Sequence, residues 1–189
     1  MRVLIFVVVL SAGLNLSLSR PNSSAQSARQ PTGAPCLFDA ERGEVPNCLL
    51  NDANGELSVS PPLVKELKFD LHDLAAVHSR KDGWMYVNRE GKVVITGVVL
   101  MDNWADTFHD GLVRFMRNNK YGFADVTGRT VIAPIYDGAL NFENGYATVC
   151  KGCKSKCADP DCEYHFFSGG IFFTIDTKGT KRTQSHRDN

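Results

Sequence analysis

Short runs of alternating apolar and polar residues, each interrupted by a turn signal, recur along the middle of the chain. Around Gly128, the aromatic residues Tyr121 and Phe123 lead into an Asp-Val-Thr-Gly turn, and Val131 and Ile132 follow it. Two β-rich runs that flank a glycine able to adopt a positive φ are typical of a β-hairpin. The pattern therefore predicts a hairpin at this place.

A third β-rich run, residues 145–149, completes the unit and is entered through a second turn at residues 143–145. Pro134 ends the preceding run because proline cannot donate a hydrogen bond to a sheet ladder. Each unit thus holds about three short strands, which are too few to bury an apolar face alone. We expect neighbouring units to share a core.

The stretch from Pro62 to Val77 departs from this alternation. Its large aliphatic residues are spaced as on one face of a helix, at Leu63, Val64, Leu67, Leu71 and Leu74. For this region the sequence is compatible with either a short helix or an extended segment.

The three-run unit repeats along the chain. Residues 84–97 align without a gap with residues 121–134, and the third runs align after a loop that is three residues longer in the first copy. The turn glycines of three successive units, 36 and 37 residues apart, are Gly55, Gly91 and Gly128. Gly179 marks a truncated last copy 51 residues after Gly128. The excess over one period indicates an insertion of about 14 residues.

These features predict an all-β fold, an array of short three-stranded hairpin repeats of about 36 to 37 residues with a cysteine-rich insertion. We place the repeat domain at residues 36–182, followed by a polar tail at residues 183–189. The predicted units are residues 48–82, 83–119, 120–150 and 170–182, with the insertion at residues 150–169.

The first residues of the chain are typical of a secretory signal peptide. Residues 1–19 carry one basic residue, Arg2, then an apolar run from Val3 to Leu10, then small and polar residues. A membrane anchor is the alternative, but the run is shorter than the roughly 20 apolar residues that span a bilayer. We expect cleavage after Ser19 and no stable membrane anchor afterwards. Residues 20–35 hold no aromatic or large aliphatic residue and are predicted to form a disordered leader.

The charge balance narrows the classes of function. The chain has 21 basic and 21 acidic residues and a formal net charge of zero. This balance excludes a protein that binds nucleic acid through bulk positive charge. With 43% hydrophobic residues, the composition is that of a globular protein that can build a core.

Six cysteines follow the predicted signal peptide, and an even number in that context favours disulfides. We expect Cys36 to pair with Cys48. Two further bridges are expected within the insertion, whose cysteines are Cys150, Cys153, Cys157 and Cys162. The same four thiolates, with His165 nearby as a substitute ligand, are an alternative zinc site. A redox Cys-x-x-Cys pair is a third interpretation.

The chain carries no recognisable catalytic motif. It lacks Gly-x-Ser-x-Gly, His-Glu-x-x-His and phosphate-loop patterns, so we expect neither an enzyme nor a cofactor. Asp125, Asp176 and Asn88 recur before turns, as turn-capping side chains do, and this interpretation is favoured over a carboxylate pair. Trp84 and Trp104 are candidates for a sugar-stacking or protein-binding platform, with core packing as the competing interpretation.

One unit carries a longer motif, in which an aromatic-Gly-aromatic-x-Asp opening precedes a turn glycine, a Val-Ile-x-Pro-x-Tyr-Asp segment and a Phe-x-x-Gly-x-Ala-x-Val close. Its parts lie at residues 121–125, 128, 131–137 and 142–149. This pattern resembles that of bacterial WG-repeat proteins. In the preceding unit Met85 stands where the family has glycine, and Gly97 stands where it has proline. The resemblance implies an all-β repeat array with no known catalytic residues.

Taken together, the sequence predicts an exported protein, periplasmic or secreted, that acts without catalysis as a binding or scaffold module. Its partner would be an unknown protein or a cell-envelope ligand. The alternative is a thiol redox or zinc-binding protein that uses the cluster from Cys150 to Cys162.

Overall fold

The computed structural model describes residues 33–162 and 164–182. The predicted signal peptide (1–19), the leader up to residue 32 and the predicted tail (183–189) lie outside the described residues. The described chain is nearly all β, with one short helix and several antiparallel sheets, so the predicted fold class is confirmed.

The first strand begins at Ala34, within the last two residues of the segment predicted as leader. In chain order the strands are β1 (Ala34–Cys36), β2 (Val45–Asn51), β3 (Leu57–Val59), β4 (Ala75–Ser79), β5 (Gly83–Val87), β6 (Val93–Val98), β7 (Leu100–Met101), β8 (Trp104–Ala105), β9 (Leu112–Arg117), β10 (Lys120–Asp125), β11 (Thr130–Tyr136), β12 (Gly138–Ala139), β13 (Tyr146–Lys151), β14 (Lys154–Cys157), β15 (His165–Ser168) and β16 (Ile171–Asp176).

The helix, α1 (Pro61–Val64), is a single turn that begins with two prolines. Proline is favoured in the first helical turn because its missing N–H would have no intrahelical partner there. The helical spacing from Pro62 to Val77 therefore gives a helix only at its start. A turn at Asp70, whose carboxylate accepts hydrogen bonds from the backbone N–H groups of His72 and Leu74, precedes β4.

The largest sheet has six strands in the order β11-β10-β9-β6-β5-β4. It places the hairpins of two successive units, β5-β6 and β10-β11, on either side of β9. β9 pairs with β10 over six residues and with β6 at a single position. There are two three-stranded sheets: β1-β2-β3 lies at the start of the described chain, and β12-β13-β16 joins the end of the unit 120–150 to the last unit. The pairs β7-β8 and β14-β15 are separate hairpins.

The turn that follows the first strand of a unit has the same hydrogen bonds in four places. In the best-preserved unit, the N–H of Gly128 donates to the carbonyl of Asp125, and the N–H of Asp125 donates to the carbonyl of Arg129. The φ of Gly128 is +85°, a conformation that favours glycine. The same pattern occurs at residues 52–56, 88–92 and 176–180. The predicted repeat register is thus visible in the backbone.

The turns at Gly91 and Gly128 also pack against the preceding unit. A Cβ atom on Gly128 would lie 2.4 Å from the carbonyl oxygen of Val94, and one on Gly91 would lie 3.2 Å from that of Val59. The N–H of Val59 donates to the carbonyl of Gly91 at 2.7 Å. Glycine is therefore required in these turns for two reasons: it adopts the positive φ, and it lets the backbones of two units approach each other closely.

The hydrophobic core is shared between units, as the small size of one unit requires. Leu112 of the unit 83–119 belongs to the same buried cluster as Phe123, and Ala124 belongs to the cluster of Phe115. Phe123 is fully buried and packs edge-on against Phe142, with ring centroids 4.7 Å apart. These contacts join the strands of successive units.

The longer loop in the unit 83–119 is filled by the β7-β8 hairpin and is held by a buried ion pair. The guanidinium of Arg114 donates to both carboxylate oxygens of Asp106, at 2.8 and 3.1 Å. It also donates to the carbonyl of Ala139 in the next unit at 3.0 Å. The Tyr86 hydroxyl donates to the carbonyl of Asp106, and burial, with the nearby acids, raises the pKa of Tyr86. This network links the two central units.

Within residues 33–162 and 164–182, no helix combines the length and the apolar character needed to cross a bilayer.

Candidate functional site

Three disulfides staple the described chain, and disulfide formation is thus confirmed. Cys36 bonds to Cys48, as expected from the sequence. Inside the insertion, Cys150 bonds to Cys153, and Cys157 bonds to Cys162. Both insertion bridges connect cysteines that are close in sequence, with separations of three and five residues. The four sulfurs of the alternative zinc site are therefore held in two disulfides in this oxidised form.

The insertion is a hairpin, β14-β15, that leaves the repeat after β13 and returns at β16. At its base the two strands come close together, at Gly152 and Gly170. A Cβ atom on Gly170 would lie 2.3 Å from the carbonyl oxygen of Lys151, and Gly152 also has a positive φ. The N–H of Gly152 donates to the carboxylate of Asp137 at 2.7 Å. The insertion therefore starts from a backbone that is fixed to the repeat.

Asp137 fastens this base through two partners. The ammonium of Lys120 contacts its carboxylate, and the backbone N–H of Gly152 donates to it. Both interactions favour the charged carboxylate, so they hold the pKa of Asp137 below its ordinary value.

Strand pairing divides the hairpin into two faces. Residues directly opposite each other in an antiparallel pair lie on the same face. Lys156 is opposite Phe166, and Ser155 is opposite Phe167. Phe167 turns toward the repeat, where its ring packs edge-on against Tyr121 with centroids 5.6 Å apart. The face with Lys156 and Phe166 is left at the surface.

Phe167 also explains one glycine of the repeat. A Cβ atom on Gly138 would lie 2.6 Å from the Phe167 ring and 2.7 Å from the sulfur of Cys150. Only a residue without a side chain leaves room for the aromatic ring that attaches the insertion to the repeat. This contact is not apparent from sequence spacing, because the two residues are far apart along the chain.

The outer surface around the insertion is unusually apolar. Tyr164, Phe166, Ile171 and Phe172 keep 68, 48, 69 and 46% of their surface exposed. The neighbouring lysines are also exposed and are Lys151, Lys154 and Lys156. Sequence reasoning missed the apolar residues as a candidate surface. Their signal was the Tyr-x-Phe-Phe run, which equally suits a buried strand.

The far end of the hairpin brings together a disulfide and a histidine. Cys157 is directly opposite His165, and the Nε2 atom of His165 lies 3.2 Å from the sulfur of Cys162. The potential ligand atoms of these three residues lie within 4.8 Å of one another. Cys150 and Cys153 do not join this group, because they are buried at the other end of the hairpin.

The repeated acidic and amide residues form Asx turns. One carboxylate oxygen of Asp125 accepts the N–H groups of Thr127 and Arg129, at 3.0 and 3.1 Å. Burial alone would raise the pKa of Asp125, but these hydrogen bonds outweigh it and the pKa lies below its ordinary value. Asp176 makes the equivalent contacts, and its pKa is lowered chiefly by the N–H of Thr180. These side chains are occupied with closing turns.

A family model described as WG containing repeat matches residues 121–154. The match runs from the second residue of β10 to the first residue of β14. Residues 121–154 therefore form a WG repeat. No curated protein and no solved structure shows a significant match to it.

The unit 83–119 departs from the WG pattern at two positions. In the matched WG repeat, a Cβ atom on Gly122 would lie 2.7 Å from the backbone carbonyl oxygen of Ile132 on the paired strand. In the preceding unit Met85 replaces the glycine and is fully buried, and Gly97 replaces the proline.

Two tryptophans of the preceding WG-like unit are in contact. The rings of Trp84 and Trp104 have centroids 4.5 Å apart, and the ring centroid of His78 lies 5.0 Å from that of Trp84. Trp84 is only 6% exposed and belongs to a buried cluster, whereas Trp104 is half-buried. The structure thus brings the two predicted residues together with little free ring surface. Their role in binding stays a prediction.

Proposed function

We propose that this WG-repeat protein is an exported, non-catalytic module that acts by binding, and that the insertion carries its binding surface. The repeats form a frame in which units share a core and disulfides staple the ends. Insertions into repeat arrays map to loops on one face, which is often the binding face. The hairpin at residues 150–169 has this position.

The exposure of four large hydrophobic side chains within the nine residues from Tyr164 to Phe172 carries the proposal; Tyr164 and Phe166 lie in the insertion, and Ile171 and Phe172 begin the strand β16 that follows it. Extended apolar patches are uncommon on monomeric proteins and mark interaction sites. The three exposed lysines beside them favour a partner that offers both apolar and negatively charged groups. A protein or a cell-envelope ligand of that chemistry is the expected partner.

Export is supported by two independent features. Residues 1–19 have the order of a signal peptide, and disulfides persist mainly in oxidising compartments. Mass spectrometry of the protein recovered from the periplasm or the medium tests this. We expect a mass that starts at Arg20 and is lower by two hydrogens for each of three disulfides. A cytosolic chain that keeps residues 1–19 would contradict export.

The binding surface is tested with a variant of the exposed insertion. The Tyr164→Ser/Phe166→Ser protein is compared with wild type for retention of a solubilised cell-envelope fraction on immobilised protein. Leu71→Ser is the matched control, because Leu71 is exposed outside the insertion. We expect the insertion variant to lose retention of a partner that wild type and control keep. Equal retention by all three proteins would remove the insertion from the proposal.

The absence of catalysis is tested separately. We expect the purified, oxidised protein to show no turnover in a broad panel of hydrolytic and transfer substrates. Enzyme-like turnover that copurifies with the wild-type chain would overturn this part of the proposal, whatever the binding assay shows.

A further inference from the structure

The three disulfides differ in their access to solvent. Cys36 and Cys48 are buried in the first core cluster, and Cys150 and Cys153 are buried at the base of the insertion. The bridge between Cys157 and Cys162 closes the exposed end of the hairpin. A thiolate must reach a sulfur atom to attack a disulfide, so access alone singles out this bridge.

The same bridge has a histidine against one of its two sulfurs. Because Cys157 and His165 occupy opposite positions of the strand pair, the imidazole is held beside the bond, with Nε2 3.2 Å from the sulfur of Cys162. An adjacent imidazolium stabilises a cysteine thiolate. A sulfur whose thiolate is stabilised leaves faster in thiol–disulfide exchange. The geometry thus makes the two sulfurs unequal.

We propose that the Cys157–Cys162 bridge is a site of thiol–disulfide exchange with low-molecular-weight thiols, and that His165 stabilises the leaving sulfur. In the first step the external thiolate attacks the sulfur of Cys157. The bond between Cys157 and Cys162 breaks, its electron pair goes to the sulfur of Cys162, and His165 supplies a proton or a hydrogen bond to that sulfur. The product is a mixed disulfide at Cys157 and a free thiol at Cys162.

A second thiol completes the reduction. Its thiolate attacks the external sulfur of the mixed disulfide, which releases the symmetric disulfide of the small thiol and leaves Cys157 as a thiol. Two small thiols are oxidised and the bridge gains two electrons and two protons. This reaction differs from a redox pair at Cys150 and Cys153, whose sulfurs are buried.

The test uses the full oxidised chain with reduced glutathione under native conditions. Free thiols are blocked with N-ethylmaleimide at timed intervals, and the modified peptides are located by mass spectrometry. We expect glutathione on Cys157 and maleimide on Cys162, at a rate about tenfold or more above that of the other two bridges. Comparable rates at all three bridges, or no reaction before unfolding, would overturn the exchange site.

The role of His165 has its own readout. In His165→Ala we expect the exchange rate to fall by about tenfold and glutathione to divide between Cys157 and Cys162, because the leaving sulfurs become alike. His72→Ala is the control, since this exposed histidine lies outside the insertion, and it should match wild type. An unchanged rate with glutathione still confined to Cys157 in His165→Ala would overturn the assigned role.

Discussion

The unit 120–150 and the insertion at residues 150–169 are adjacent in the chain but are held in different ways. In the unit, side chains such as Phe123 and Val149 are fully buried, and the turn at Gly128 packs against a neighbouring unit. In the insertion, the buried apolar residues are the cysteines at its base, and covalent bonds replace a core. Packing therefore constrains most of the unit, whereas the insertion is held by its disulfides, by the Phe167 ring against Tyr121 and by the hydrogen bond from Gly152 to Asp137. Its outer side chains are left available for binding and exchange.

The largest difference between the two regions should appear on removing an aromatic ring. Phe123→Ala deletes a fully buried ring that packs against Phe142, and we expect the free energy of unfolding to fall by about 3 to 5 kcal/mol. Phe166→Ala removes a half-exposed ring from the insertion and should cost less than about 1 kcal/mol. Denaturant unfolding of both variants measures the contrast. Similar losses would mean that the insertion has a core of its own.

A pair of glycines in the unit separates backbone strain from contact between units. Gly128 and Gly145 have nearly the same φ, +85° and +84°, but an added Cβ atom would meet the neighbouring unit only at Gly128. Gly145→Ala should cost about 1 to 2 kcal/mol for the left-handed backbone. Gly128→Ala should cost about 3 kcal/mol because the new methyl group also meets Val94. Equal losses in chemical denaturation would argue against the close approach of the two units.

The disulfides give a third comparison, between a bridge in the core and one in the insertion. Replacing Cys36 and Cys48 by alanine should lower the free energy of unfolding by about 2 to 3 kcal/mol. Replacing Cys157 and Cys162 should lower it less, because that bridge closes a shorter loop. Thermal unfolding of the two double variants tests the order. A larger loss from the insertion bridge would reverse the comparison.

The smallest effect concerns the turn carboxylate. Asp125→Ala removes the acceptor for two backbone N–H groups and should cost about 1 kcal/mol at neutral pH. Asp125→Asn keeps an acceptor oxygen, as Asn88 does in the preceding unit, and should cost less.

The charge of Asp125 adds a pH dependence to this effect. Its pKa is lower in the folded chain than in the unfolded chain, so its contribution is present above the ordinary value of about 4 and is lost as the pH falls through the folded value. Unfolding of wild type and Asp125→Asn between pH 2 and about pH 6 measures this. Asp125→Asn should lose less stability with acid than wild type; the same acid profile for both would assign the dependence to other groups.

Much of the fold could be predicted because its signals are local. The turn residues at 125 and 128 and the runs beside them specify a hairpin within a few residues, and the interval between turns reveals the repeat. The helix predicted in the segment from Pro62 to Val77 was harder to place. The spacing of the leucines there suited a longer helix than the single turn α1 that the structure shows. The hydrogen bonds of Asp70, which end that segment, compete with helix formation and leave only a weak trace in the pattern.

The candidate site was predicted only in part. The sequence located the cysteines, but the contact of His165 with Cys162 depends on the register of β14 with β15. For Trp84 and Trp104 the sequence left a binding platform and core packing both open, and the structure places Trp84 in a buried cluster. Burial of an aromatic ring depends on residues from other strands, so periodicity within one strand does not reveal it.

The sequence by itself determined the hairpin units, their period and the place of the insertion, because turn glycines and alternating side chains act over short distances. Tertiary structure decided which surfaces stayed open. Phe167 reaches Tyr121 and Gly138 across a long stretch of chain, and this contact leaves Phe166 outside and the Cys157–Cys162 bridge at the surface. Such contacts depend on the packing of several units at once, and that packing determines which residues remain accessible to a partner.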